Sequence, residues 1–186
     1  MKTTRFSILA AAFAVAAAAA LSTAGCKSAS STASPTKAAG PQARATIEPR
    51  SGSNVSGWAT FTERPTGGVA VVVHIENAPP GVHGLHVHEK GDCSAADASS
   101  AGGHFNPGAM PHAGPHDAMR HAGDFGNITI EANGTGHLEL VSDLLTVRPG
   151  PNSVVGKAVV FHEKEDDLKT QPSGNAGARL GCGVVQ

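Results

Sequence analysis

Residues 127–140 read Asn127-Ile128-Thr129-Ile130-Glu131-Ala132-Asn133-Gly134-Thr135-Gly136-His137-Leu138-Glu139-Leu140, and this stretch decides the fold class. Ile128-Thr129-Ile130 and Leu138-Glu139-Leu140 each alternate apolar with polar side chains, as strands with one buried face do. Asn133-Gly134 between them is a hairpin-turn signal. The same rhythm recurs outward in both directions. Short runs rich in β-branched residues lie at about 45–49, 55–63, 69–76, 83–89, 125–131, 135–141, 154–162 and 182–185, divided by turn residues. Ala59 and Phe61 alternate with Thr60 and Thr62. Beyond residue 44 no stretch sustains the i, i+3, i+4, i+7 apolar pattern of a helix. The 23 Gly and 12 Pro in 186 residues suit many turns and fall below the share expected of a disordered chain. The expectation is one all-β domain, an antiparallel sandwich or flattened barrel of eight strands.

Two segments interrupt the rhythm. Residues 90–124 and 163–180 are long, Gly-rich and polar, and loops of that length in a compact domain are usually functional or disordered. They carry most of the unusual chemistry. The chain has 10 His, all between His74 and His162, so the count points to a site. The net charge of -1 and the absence of a charged tail give no reason to expect nucleic acid as a partner.

The N-terminus reads as a targeting segment. Lys2 and Arg5 precede an apolar run from Phe6 to Leu21, short for the ~20 residues of a membrane span. Thr23-Ala24-Gly25-Cys26 resembles a bacterial lipobox, with Thr where Leu is usual. Cys26 would then be lipidated and become the new N-terminus. The alternative is ordinary cleavage near Ala24, which leaves Cys26 a spare thiol or removes it. Residues 27–43 are mostly Ser, Ala, Thr and Pro, with little to bury, and read as a flexible tether. The expected organisation is a signal peptide over 1–25, a lipid-attached tether over 26–44 and a folded domain over 45–186. The protein would be exported to the periplasm or cell envelope, touching a membrane only through lipid on Cys26.

Cys93 and Cys182 remain. An exported chain lives where disulfides persist, and two cysteines without CxxC spacing read better as one bridge than as a redox pair. Two free buried thiols are the alternative.

The histidines have the arrangement of metal ligands. His86 and His88 sit at i and i+2 of one strand, so both imidazoles project from one face. His104, His112, His121 and Asp124 follow in the long loop, and three His with one carboxylate make a complete tetrahedral zinc set. His162 ends the run Val159-Val160-Phe161 and can add a ligand near the HxH pair. Imidazole suits copper as well as zinc. A solvent-exposed His-rich loop is the competing account.

Taken together, the stretches HGLHVHEKGDC, AGGHFNPG, HAGPHDAMRHAGDFGN, VVFHEKEDDL and GNAGARLGCGVV resemble copper/zinc superoxide dismutase in order and spacing, from about residue 45 to the C-terminus. The resemblance implies an eight-stranded Greek-key β-barrel with two functional loops. It implies that His86, His88, His104 and His162 hold copper and that His104, His112, His121 and Asp124 hold zinc, with His104 bridging the two. It assigns Arg179 as the guide for the superoxide anion, with His104 the other catalytic residue. Asp166 becomes the acid hydrogen-bonded to one histidine of each metal, and Cys93–Cys182 the intrasubunit disulfide. A homodimer is compatible with the family, whose dimer contacts differ between branches.

His74, His83, His116 and His137 receive no family role. His83 is expected to make a hydrogen bond that shapes the turn before His86, and the others to be structural or exposed. The segment between His162 and Arg179 is shorter than in the common cytosolic enzymes, which leaves the steering of substrate less certain than the ligation; Lys169 is a candidate for part of the charge. The rival from another class is a non-enzymatic copper or zinc carrier of the envelope. Arg179 beside four copper-type histidines argues against it, because a carrier needs no anion guide.

Overall fold

A computed structural model describes residues 40–186. The expected signal peptide, Cys26 and most of the expected tether lie outside the described residues. Eight strands follow in order: β1 (Gln42–Pro49), β2 (Ser56–Glu63), β3 (Val69–Glu76), β4 (Gly81–His88), β5 (Asp124–Ile130), β6 (Gly136–Ser142), β7 (Ala158–His162) and β8 (Arg179–Val184). They close into an antiparallel barrel in the order β1-β2-β3-β6-β5-β4-β7-β8. Sequence neighbours give way to β3·β6 and β4·β7 pairings, the crossovers of a Greek key.

The strands form because apolar side chains recur along one face of each. Ala43, Ala45 and Ile47 of β1, Val69, Val71, Val73 and Ile75 of β3, and Phe125, Ile128 and Ile130 of β5 enter one core. β1 starts three residues before the apolar run suggested. Ala43 is a weak strand former, yet it is buried, and Arg44 exchanges backbone hydrogen bonds with Gln186 at 2.8 and 2.9 Å. β7 starts later than the pattern suggested. Val154 is fully buried, but in the crossing that leads to Ala158.

The hairpin that decided the fold class is present with a three-residue turn. The Gly134 N–H donates to Glu131 O at 2.9 Å, and Gly134 alone takes a left-handed φ of 81°. Asn133 Oδ1 accepts from the N–H of Thr135. This is a β-turn followed by a left-handed glycine, the second commonest hairpin connection. β5 and β6 are paired only at Ile130↔Gly136. Each then turns to another partner, β5 to β4 and β6 to β3.

β4 and β7 are buried on both faces. Leu85, Val87, Val159 and Phe161 point into the barrel. His86, His88, Ala158, Val160 and His162 face outward and are buried nevertheless. The loops 89–123 and 163–178 cover that outer face. Ala98, Ala101, Ala158, Val160 and Cys182 form a second small core there, with Cys93 against it.

Candidate metal centre

The barrel wall positions the first ligands. On β4, His86 lies opposite Val160 of β7 and opposite Asp124, the first residue of β5. The strand register therefore brings together one member of each proposed ligand set. Past Gly84 the β4·β5 pairing shifts, and residues 103–105 of the long loop enter beside β4. Glu89 N–H donates to Gly103 O at 2.9 Å and Phe105 N–H to Val87 O at 2.8 Å. These bonds fix His104 next to His88 by main chain.

Among the described residues, two groups of four ligand atoms lie within 4.8 Å of one another: His86, His88, His104 and His162, and His104, His112, His121 and Asp124. The second group converges closely. Asp124 Oδ1 lies 2.9 Å from His104 Nδ1, 3.0 Å from His112 Nδ1 and 3.2 Å from His121 Nδ1, and the last is 3.4 Å from His104 Nδ1. Donors about 2.0 Å from a tetrahedral ion are about 3.3 Å apart. The set is therefore dimensioned for a small tetrahedral ion such as zinc. Asp124 Oδ2 accepts from the backbone N–H groups of Ala113 and His121, which aims Oδ1 at the ion.

In the first group His88 Nε2 and His162 Nε2 are 3.4 Å apart. His86 Nδ1 and His104 Nε2 are buried and have no hydrogen-bond partner. An unpaired buried polar atom costs ~1–3 kcal/mol. Both residues belong to this group, whose ligand atoms lie within 4.8 Å of one another, and a metal ion held there would satisfy both nitrogens. An all-imidazole set fits copper. Among the described residues, His104 is the one that belongs to both ligand sets. The residues thus fit a copper and a zinc ion sharing His104.

Residues 55–185 match the family model of copper/zinc superoxide dismutase (SODC). The chain belongs to that family. It is also similar to a solved structure described as the clock protein EA4, at 41% identity over 77% of this chain and 92% of that chain, with a TM-score of 0.70.

Within this superoxide dismutase framework, partners on the far ring nitrogens fix the tautomers. His88 Nδ1–H donates to Gly102 O at 2.9 Å, and His162 Nδ1–H reaches toward Gly177 O at 3.4 Å, leaving both Nε2 atoms free. Asp166 spans the two halves. Its Oδ2 accepts from His86 Nε2 at 2.7 Å and its Oδ1 from His112 Nε2 at 2.9 Å. Such outer contacts orient the rings and raise their basicity. Gly174 makes room for this carboxylate. A Cβ there would fall on Asp166 and 2.8 Å from His112 Nε2, and the backbone φ is +64°.

The two sets differ electrically. Burial pushes His86, His88 and His162 below the ordinary imidazole value and His104 down to about 4. Burial also acts to lower His112, but the hydrogen bonds of Asp124 and Asp166 prevail and raise it to about 9. Both carboxylates are held well below the usual range by those histidines, against their own desolvation.

The remaining residues have definite places. Cys93 and Cys182 form a disulfide, with Cα atoms 5.8 Å apart, that ties the loop 89–123 to β8. Arg179 Nη1 and Nη2 donate to Ala98 O and Gly102 O at 2.8 Å each, so Gly102 O serves both the guanidinium and His88. Burial lowers the Arg179 pKa without discharging it. Arg179, His88, His104 and His162 line a cavity of about 320 Å³ together with Pro172 and Ser173. His83 is buried and bonded to His162 O and Pro79 O. His74 and His137 pair with Glu76 and Glu139 on the outside of the barrel, and His116 is exposed.

Sequence reasoning missed two amides. Asn127 Oδ1 accepts from Asp166 N–H at 2.8 Å, and its Nδ2 donates to Asp166 O at 2.9 Å. Gln171 does the same for His112, at 2.7 Å in both directions. Neither carries a periodic signal.

Proposed function

We propose that this chain is a copper/zinc superoxide dismutase that converts two superoxide anions and two protons to dioxygen and hydrogen peroxide. The observation that carries the reading is His104, whose two buried nitrogens serve two complete ligand sets beside a cavity that also holds Arg179. Copper at the all-histidine set would supply one-electron redox chemistry, and zinc, without redox states, would hold the bridge. Arg179 offers a fixed cationic fork to a small anion in that cavity. One superoxide gives up its electron and leaves as dioxygen. The other gains an electron and two protons and leaves as peroxide. His104 Nε2, when not shared, can hold one of those protons and surrender it to the product.

The enzyme is placed in the periplasm or cell envelope by its export segment and is held there by lipid on Cys26, with the tether giving the domain reach. In cell fractions, Cys26→Ser should move the protein from membrane to soluble material; an unchanged distribution overturns the anchor.

The test of the activity is reconstitution with copper and zinc, with metal content and superoxide consumption measured on one sample. One copper and one zinc per chain with rapid dismutation is expected. A fully loaded protein without turnover would favour the carrier.

A further inference from the structure

The loop 163–178 grips His112 in two ways. Asp166 Oδ1 takes the His112 side chain at Nε2. Gln171 takes its main chain: Oε1 accepts from His112 N–H at 2.7 Å, while Nε2 donates to His112 O at 2.7 Å and to Lys169 O at 3.1 Å. The loop is also bonded to itself. Asp167 accepts from the N–H groups of Lys169 and Thr170 and from the Thr170 hydroxyl, and Asn175 Nδ2 donates to both Asp167 and Thr170. The Asp167 N–H donates to Gly174 O, and the Gly174 N–H to Thr170 O. Pro172 and Ser173, next along the chain from Gln171, line the copper-side cavity.

We propose that Gln171 is a positioning residue through which the zinc set governs the mouth of the copper cavity. The inference rests on the two-metal reading above. His112 Nδ1 would hold zinc, Gln171 transmits the place of the His112 main chain to the loop, and the internally hydrogen-bonded loop carries Pro172 and Ser173 with it. The simpler alternative is that Gln171 merely braces the loop, equally with and without zinc.

The experiment uses full-length protein loaded with copper alone or with copper and zinc. Azide serves as a small anion probe, titrated against the visible spectrum of Cu(II). Zinc release to a chelator and the melting temperature are followed in parallel. In the wild type, azide affinity should differ between the zinc-loaded and zinc-free forms. In Gln171→Met, which has similar length and makes none of the three bonds, that difference should shrink at least threefold and zinc should leave about tenfold faster. Gln171→Glu keeps the acceptor for His112 N–H and loses the donor, so it should fall between; it also serves if the Met variant folds poorly. Three results overturn the proposal: a wild type whose azide affinity ignores zinc, a Met variant with wild-type values, or a variant melting lower by the same amount in both forms with the azide difference intact. A wild type that takes up neither metal would instead refute the two-metal reading.

Discussion

The copper set and the zinc set share one histidine and are otherwise built in opposite ways. Three copper-side ligands stand on strands, His86 and His88 on β4 and His162 on β7, and are desolvated by the barrel wall and the loops over it. Their low pKa values keep them neutral near pH 7, ready to ligate. The zinc-side histidines stand on a loop and surround a carboxylate. His112 is charged at the same pH, held between Asp124 and Asp166. The wall sets the places of its ligands by strand register. On the loop, an ion would have to replace the proton that His112 holds between the two acids.

The largest effect expected from this contrast comes through the disulfide. Cys93 and Cys182 are 89 residues apart, and closing a loop of that length stabilises by ~4–5 kcal/mol in the chain-entropy model. Cys93→Ser, compared with wild type by denaturant unfolding of zinc-free protein, should lose most of that. Zinc affinity should suffer more than copper affinity, since the bridge ties down the loop that carries His104, His112 and His121. Equal losses at the two sites would dissolve the distinction between wall and loop.

His104→Ala is next. Losing an outer contact to a ligand costs 10–100-fold in metal affinity, and losing a ligand leaves zinc's site open. Zinc affinity by chelator competition should fall more than ~100-fold, while copper remains on three histidines with a changed spectrum. An unchanged copper spectrum together with unchanged zinc affinity would remove His104 from the bridge.

Acidity separates the halves directly. The Nδ1 of His112 binds zinc only after the cation held by Asp124 and Asp166 gives up its proton. Zinc affinity of copper-free protein should therefore rise about tenfold per pH unit up to about 9 and then level. The sign for the metal-free fold is the reverse. A raised histidine pKa contributes stability that is full below 6.5 and is lost as pH climbs through about 9. Copper affinity of zinc-free protein should stay flat over that window, because its four ligands are already neutral. Parallel pH slopes for the two metals would show that the electrical contrast is unreal.

The same contrast governs how much could be read from the sequence. The wall was legible, because burial on a strand leaves a period of two, and the His86/His88 spacing places both rings on one face. The ligands of the loop were legible as residue types and as one zinc-type set, while the sharing of His104 between the two sets and the role of Asp166 rested on family resemblance. Asn127 and Gln171 were illegible. A side-chain amide that binds another residue's main chain needs only a nearby loop, and nothing in local composition marks it. β1 was read short for a related reason: Ala43 contributes to the core by position and not by size.

The smallest effect concerns a residue that belongs to neither set. Arg179 begins β8, three residues before the bridged Cys182, and its guanidinium is fastened to Ala98 O and Gly102 O. It ligates nothing, so Arg179→Ala should leave copper and zinc content nearly intact. Superoxide is a monoanion, and the fixed cation in the cavity acts on both its capture and its docking. We expect kcat/KM to fall ~10-fold, about 1.4 kcal/mol of transition-state stabilisation. Arg179→Lys should keep more activity, since the charge survives and the fork is lost. Exposed charges are screened beyond about 10 Å at 0.1 M salt, so added salt should slow the wild type more than the Ala variant. Gly102 O also anchors His88, which supplies an internal control. If the Ala variant loses activity because His88 has shifted, its Cu(II) spectrum will change and the salt dependence will remain. If Arg179 acts on the anion, the spectrum will hold and the salt dependence will flatten. A metal-loaded Ala variant with full activity at low and high salt would strike Arg179 from the mechanism and leave the contrast between wall and loop standing.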